Sequence, residues 1–208
     1  MYSYLIFGIT YAFAAAVQPG PFQSFLITRT LSQGWKNTLP AAFAPLLSDG
    51  PIIFLVLVLL SGLSSDVIHV LQIGGGIFLL YLARGAYGNW RQAKSTAELA
   101  SQSTNQTIWK ATVVNLFNPA PYLGWSLIMG PLFLQGWRET PIHGVALLVG
   151  FYLTLILITM GIILLFGAAR QIGPKVQHIM LGFSVVALAL FGLYELWQGM
   201  SAFSRLLS

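Results

Sequence analysis

The sequence predicts an all-α integral membrane protein, with six transmembrane helices forming two inverted three-helix repeats in which helices 1 and 4 are broken. Three observations carry that expectation. The chain is 56% hydrophobic and only 7% charged, against roughly 25% charged residues in a soluble domain. Apolar stretches close to the ~20 residues that span hydrocarbon recur from end to end. Two proline pairs, Pro19-Gly20-Pro21 and Pro119-Ala120-Pro121, each interrupt such a stretch, one echoing the other half a chain later.

The first stretch covers residues 4–28. Proline lacks the backbone N–H and its ring clashes with the preceding turn, so Pro19 and Pro21 should break this helix where no water reaches the freed carbonyls. No basic segment precedes it and further apolar stretches follow, so it is expected to stay in the mature protein as a span. The second stretch, 39–61, contains Pro45-Leu46-Leu47-Ser48-Asp49-Gly50-Pro51, and Asp49 reads as the one acid deep inside a span. An acid at the bilayer centre costs about 2.5–3.5 kcal/mol, so Asp49 should face a cavity and either pair with a cation or carry a proton. The alternative is a carboxyl that caps the break at Pro51. The third stretch, 67–87, holds Gly74-Gly75-Gly76, which offers a smooth surface for close helix packing.

The fourth stretch, 111–134, places Asn115 and Asn118 at i and i+3, on one face just before the second break. Amides supply donors and acceptors without net charge, which suits a zwitterionic amine and carboxylate; alternatively they satisfy the carbonyls freed by Pro119 and Pro121. Gln18 occupies the position equivalent to Asn118. Each break opens a new half-helix whose free N–H groups favour an anion such as a carboxylate. In secondary transporters, discontinuous helices at matching places in two repeats line the substrate site. The expected substrate residues are therefore Gln18, Pro19, Gly20, Pro21, Asn115, Asn118, Pro119 and Pro121, with Asp49 as the proton carrier. Stretches 142–166 and 176–197 complete the six.

The whole chain, 1–208, reads as one membrane domain, divided into a first repeat at 1–88, a polar linker at 89–107 and a second repeat at 108–208. Gly85-Ala86-Tyr87-Gly88-Asn89-Trp90 aligns with Gly192-Leu193-Tyr194-Glu195-Leu196-Trp197, and Gly75 then falls on Gly182. An odd number of spans per half requires the second copy to enter the membrane upside down.

Of the ten lysines and arginines, Arg29, Lys36, Arg84, Arg91, Lys94, Lys110, Arg170 and Lys175 fall in loops on one side and only Arg138 and Arg205 on the other. By the positive-inside rule the former loops are cytoplasmic and both termini lie outside. These loops lack the clustered, aromatic-interleaved basic residues of a nucleic-acid site. The chain has no cysteine, which excludes disulfides and thiolate redox or metal chemistry. His69, His143 and His178 are widely separated, so no shared metal site is expected. Nothing pairs a nucleophile with a base and an orienting group, so neither an enzyme nor a bound cofactor is expected. Tyr87, Trp90, Trp109, Trp137, Tyr194 and Trp197 sit at span ends as an interfacial belt.

Pro-Gly-Pro at 19–21, Ser48-Asp49 closing helix 2, and Asn-x-x-Asn-Pro at 115–119, spread over a chain of this length and span number, resemble the lysine exporter and homoserine-lactone efflux (LysE/RhtB-type) family of bacterial amino-acid translocators. The chain departs from the family in having Ala44-Pro45-Leu46-Leu47 before the acid and Ala120-Pro121 after Asn-Pro. The resemblance implies export of amino acids or related small metabolites through the bacterial inner membrane by proton antiport. The expected partners are then a small-molecule substrate, protons and membrane lipid, with homo-oligomerisation left open. A cadmium-type exporter of the same superfamily and a passive channel are the alternative readings.

Overall fold

The computed structural model describes residues 1–58, 65–91 and 104–206, and its regular structure is entirely helical among them. Helix α1 (Tyr2–Val17) stops just before Gln18, and α2 (Pro21–Gln33) restarts after Gly20 at a bend of 61°. A short α3 (Trp35–Thr38) and a 3-10 turn (Leu39–Phe43) lead into α4 (Ala44–Val58), and α5 covers Ser65–Arg91. The second half begins with α6 (Thr104–Leu116), followed by α7 (Pro119–Gly124), a π-helical turn (Trp125–Met129) and α8 (Gly130–Glu139). Two long helices finish the chain, α9 (Pro141–Arg170) and α10 (Pro174–Leu206). Proline opens α2, α7 and α9, where its missing N–H leaves no intrahelical bond unmade.

Several boundaries differ from the sequence expectation for physical reasons. Pro51 lies inside α4 without ending it; the irregular stretch of this segment is the 3-10 turn before Ala44, not the Ser48–Pro51 region. Most of the expected linker, 92–103, and the end of the second stretch, 59–61, lie outside the described residues. The linker's flanks are helical, since α5 runs to Arg91 and α6 starts at Thr104. Among the described residues, three helices are long and apolar enough to cross a membrane, at 35–56, 141–170 and 178–201, and the bent pair α1–α2 would make a fourth. The 111–134 stretch fails that measure because it is divided among α6, α7 and the π turn.

The helices pair closely. α1 lies along α9, α5 along α10, and α4 against α6. Glycine makes the first two contacts tight. A Cβ on Gly8 would collide with the Leu147 carbonyl and one on Gly150 would lie 2.6 Å from Leu5 O; on Gly76 it would lie 2.7 Å from Gly192 O, and on Gly192 3.1 Å from Gly76 O. The glycine run at 74–76 is thus a contact surface, with Gly75 against the Phe117 carbonyl. One buried cluster gathers Phe25, Leu26, Ala42, Leu79, Ile163 and Leu188, and another Ala12, Ile52, Tyr122, Trp125, Leu147 and Phe151.

The distribution of polarity is the reverse of a water-soluble protein. Arg29, Asp49, Asn115, Thr159 and Glu195 are buried, whereas Phe54, Ile77, Leu153, Leu165 and Phe183 are exposed. An apolar exterior of this extent needs lipid to cover it.

Candidate functional site

Each proline break is closed by a side chain from the half-helix that follows it. The Gln23 amide Nε2 donates to Ala16 O at 3.2 Å and Ala15 O at 3.5 Å, occupying carbonyls that the end of α1 leaves without a helical partner. At the second break the Tyr122 hydroxyl donates to Leu116 O at 2.9 Å. Asn118 is the N-cap of α7, its Oδ1 accepting from Ala120 N at 3.1 Å. Sequence reasoning missed Gln23 and Tyr122, although a polar side chain one turn into a half-helix after a proline break is a readable signal.

Between the breaks lies a cavity of about 380 Å³. Gln18, Pro19, Gly20, Pro21, Asn115, Asn118, Pro119, Pro121 and Asp49 all line it. The structure therefore brings the sequence-predicted residues together, from the two breaks and from α2, α4, α6 and α7. Tyr11, Phe151 and Phe191 supply apolar wall, and the π turn contributes Trp125 and Met129. A π turn shifts helical register within five residues, a device often found at functional sites.

Asp49 is 3% exposed and held by donors from three other elements. Asn115 Nδ2 donates to Asp49 Oδ1 at 3.1 Å and to Ser48 Oγ at 2.7 Å. Tyr152 on α9 donates to Asp49 Oδ2 at 3.1 Å, Ser48 Oγ lies 3.4 Å from Oδ1, and the Trp125 side chain is a further donor. The carboxyl is bonded to side chains, not to backbone N–H groups around Pro51, so the capping alternative does not describe it. Asn115 has both amide hydrogens engaged with this pair, and its role in the structure is to orient Asp49.

Asp49 is not the only acid inside the bundle. Glu195, which sequence position between Tyr194 and Trp197 assigns to an interfacial span end, is 7% exposed and lines the same cavity. Its Oε2 is buried with no hydrogen-bond partner among the described residues. A signal for it exists in the sequence: Gly192, Glu195 and Gly199 lie on one face of α10, and both glycines touch α5.

A second cavity, of about 480 Å³, is basic: Arg29, Arg84 and Lys110 line it, with Thr28 and Ser32. Arg29 is 9% exposed and its Nη2 donates to Thr107 Oγ1 at 2.9 Å. Away from both cavities, Glu139 at the end of α8 accepts from Tyr4 at 2.9 Å and Gln135 at 3.2 Å, with His143 Nδ1 at 3.1 Å. The Tyr4 hydroxyl, then Gln135, hold this carboxyl below its usual range. The three histidines serve separate contacts: His143 this acid, His69 the Gln72 side chain, and His178 the Trp90 ring stacked 5.0 Å away.

The family profile of the LysE type translocators matches residues 13–199, nearly the entire chain. This protein belongs to the LysE type translocator family. It is accordingly a multi-pass membrane transport protein for amino acids or related compounds. The matched region of the translocator contains both breaks, Asp49 and Glu195. Neither a comparison with curated proteins nor one with solved structures returns a match.

Proposed function

We propose that this translocator is a secondary exporter of the bacterial inner membrane, moving amino acids or related small metabolites out of the cytoplasm in exchange for protons. One observation carries the reading: both proline breaks and a buried carboxyl line a single cavity large enough for a small metabolite. The substrate lies between the breaks, touching Gln18 and Asn118, while Asp49 takes a proton from the outer side and releases it inward as substrate leaves. An acid so deep in an apolar bundle is costly unless it is used.

The chain forms two inverted repeats of three spans, and the helix pairing supports this. Exchanging the halves maps the α1–α9 contact onto the α6–α4 contact and the α5–α10 contact onto itself. Both termini face outward, with Arg29, Arg84 and Lys110 marking the cytoplasmic mouth. The decisive experiment is counterflow in proteoliposomes: vesicles loaded with one amino acid should take up the same labelled amino acid down no net gradient, and an acid-outside pH gradient should turn exchange into net export. A protein that dissipates substrate gradients without exchange, and without response to pH, is a channel. Orientation is tested by single cysteines, which should be shielded from an impermeant reagent in intact cells within 89–107 and reactive after residue 203.

A further inference from the structure

We propose that the Glu195 carboxylate is the cation subsite of the central cavity, taking the ammonium group of an amino-acid substrate whose carboxylate sits at the N-terminus of α2. The proposal rests on the cavity being the substrate site and adds which residue receives which end of the ligand.

The charge of the cavity is the first argument. It is lined by two acids, Asp49 and Glu195, and by no lysine, arginine or histidine among the described residues. A cavity so walled is complementary to a ligand that brings positive charge. The two acids are not equivalent. Asp49 is saturated by Asn115, Ser48 and Tyr152. Glu195 is also buried, though less deeply, yet its Oε2 meets no donor among the described residues. A buried carboxylate oxygen without a donor is unfavourable until a ligand supplies one, and an ammonium carries three.

Position is the second argument. Glu195 also borders a narrow crevice lined by Pro21 at the start of α2 and by Asn118 and Pro119 at the start of α7, which puts it beside both breaks. The α7 N-terminus is closed by the Asn118 side chain, but α2 has Gly20 at its N-cap and no side-chain cap. Pro21 has no N–H and Ser24 N donates to Gly20 O, so the N–H groups of Phe22 and Gln23 remain for an anion. An α-amino acid placed between them satisfies both ends at once. The other repeat has Gly88 where this one has Glu195, so the cavity offers one cation subsite, and one substrate is bound at a time.

The test uses the purified full chain in detergent and titration calorimetry with a panel of common L-amino acids, their methyl esters, which keep the ammonium and lose the carboxylate charge, and their amine-free carboxylic acids. For every amino acid the wild type binds, Glu195→Gln should weaken the amino acid and its ester by about tenfold or more, and leave the amine-free acid within about twofold, as expected for loss of a charge-assisted bond. Glu195→Asp, which keeps the charge on a shorter stem, should fall between. Equal weakening of all three ligand types shows a structural role and overturns the assignment, as does unchanged binding. Wild-type protein that exchanges amino acids in counterflow while Glu195→Gln binds them normally removes only this assignment. Wild type that neither exchanges nor binds any amine removes the transport reading with it.

Discussion

Replacing Asp49 with Asn separates proton coupling from folding, because the structure makes the cost of the change small. An Asn side chain keeps an acceptor for Asn115 at 3.1 Å and Ser48 at 3.4 Å, and turns its amide toward the Tyr152 hydroxyl, 3.1 Å from the native carboxylate. With the Trp125 donor counted, four charge-assisted bonds become neutral ones, a loss of about 1 kcal/mol each. Against this, removing an acid from the middle of a span relieves about 2.5–3.5 kcal/mol. The two effects cancel to within about 1.5 kcal/mol, so Asp49→Asn should accumulate in the membrane close to wild-type level. Function should then divide. In inside-out vesicles with a lumen about one pH unit more acidic than the medium, exchange of one proton per substrate supports about tenfold accumulation. The variant should show none, while retaining counterflow. A normally folded Asp49→Asn protein that still concentrates substrate in response to pH would falsify the assignment of Asp49 as the proton carrier.

Three further outcomes follow from the geometry. Gly76→Val puts a branched side chain against Gly192 O and should destabilise by about 1–3 kcal/mol, whereas Gly85→Ala, with open space around it, should be neutral or gain up to about 1 kcal/mol from helix propensity; thermal unfolding of the two variants that shows equal loss contradicts the packing account. Tyr122→Phe leaves Leu116 O and Gln23→Leu leaves Ala16 O without a partner, at about 1–3 kcal/mol each, and because they close different breaks their effects in denaturant unfolding should add; strong coupling between them would mean the breaks are not independent. The Glu139 carboxyl, lowered by Tyr4 and Gln135, contributes stability that is present above its usual value of 4.5 and lost as pH falls through its lower folded value. The melting-temperature gap between wild type and Glu139→Gln should therefore be widest near neutrality and close in acid, and a gap that widens in acid reverses the sign of the argument.

What the sequence determines by itself is whatever depends on composition and on the local chain. Few charges and a mean hydropathy of +0.76 require lipid as solvent. Proline's missing N–H is a property of the residue, so the interruptions at 19–21 and 119–121 were readable without any partner, and so were the family motifs around them. The same local logic misled at two places: Pro51 is absorbed within α4, because a helix packed against α6 tolerates one freed carbonyl that an isolated helix would not, and Glu195 looked interfacial beside Tyr194 and Trp197. Only the tertiary structure decided that Asp49 is gripped by Asn115, 66 residues away, and Tyr152, 103 residues away. It alone decided that Glu195 turns inward. Close approach of α5 and α10 at Gly76 and Gly192 sets the depth at which the next polar residue on that face enters the bundle, and such a crossing is fixed by packing between distant segments, which no local pattern encodes.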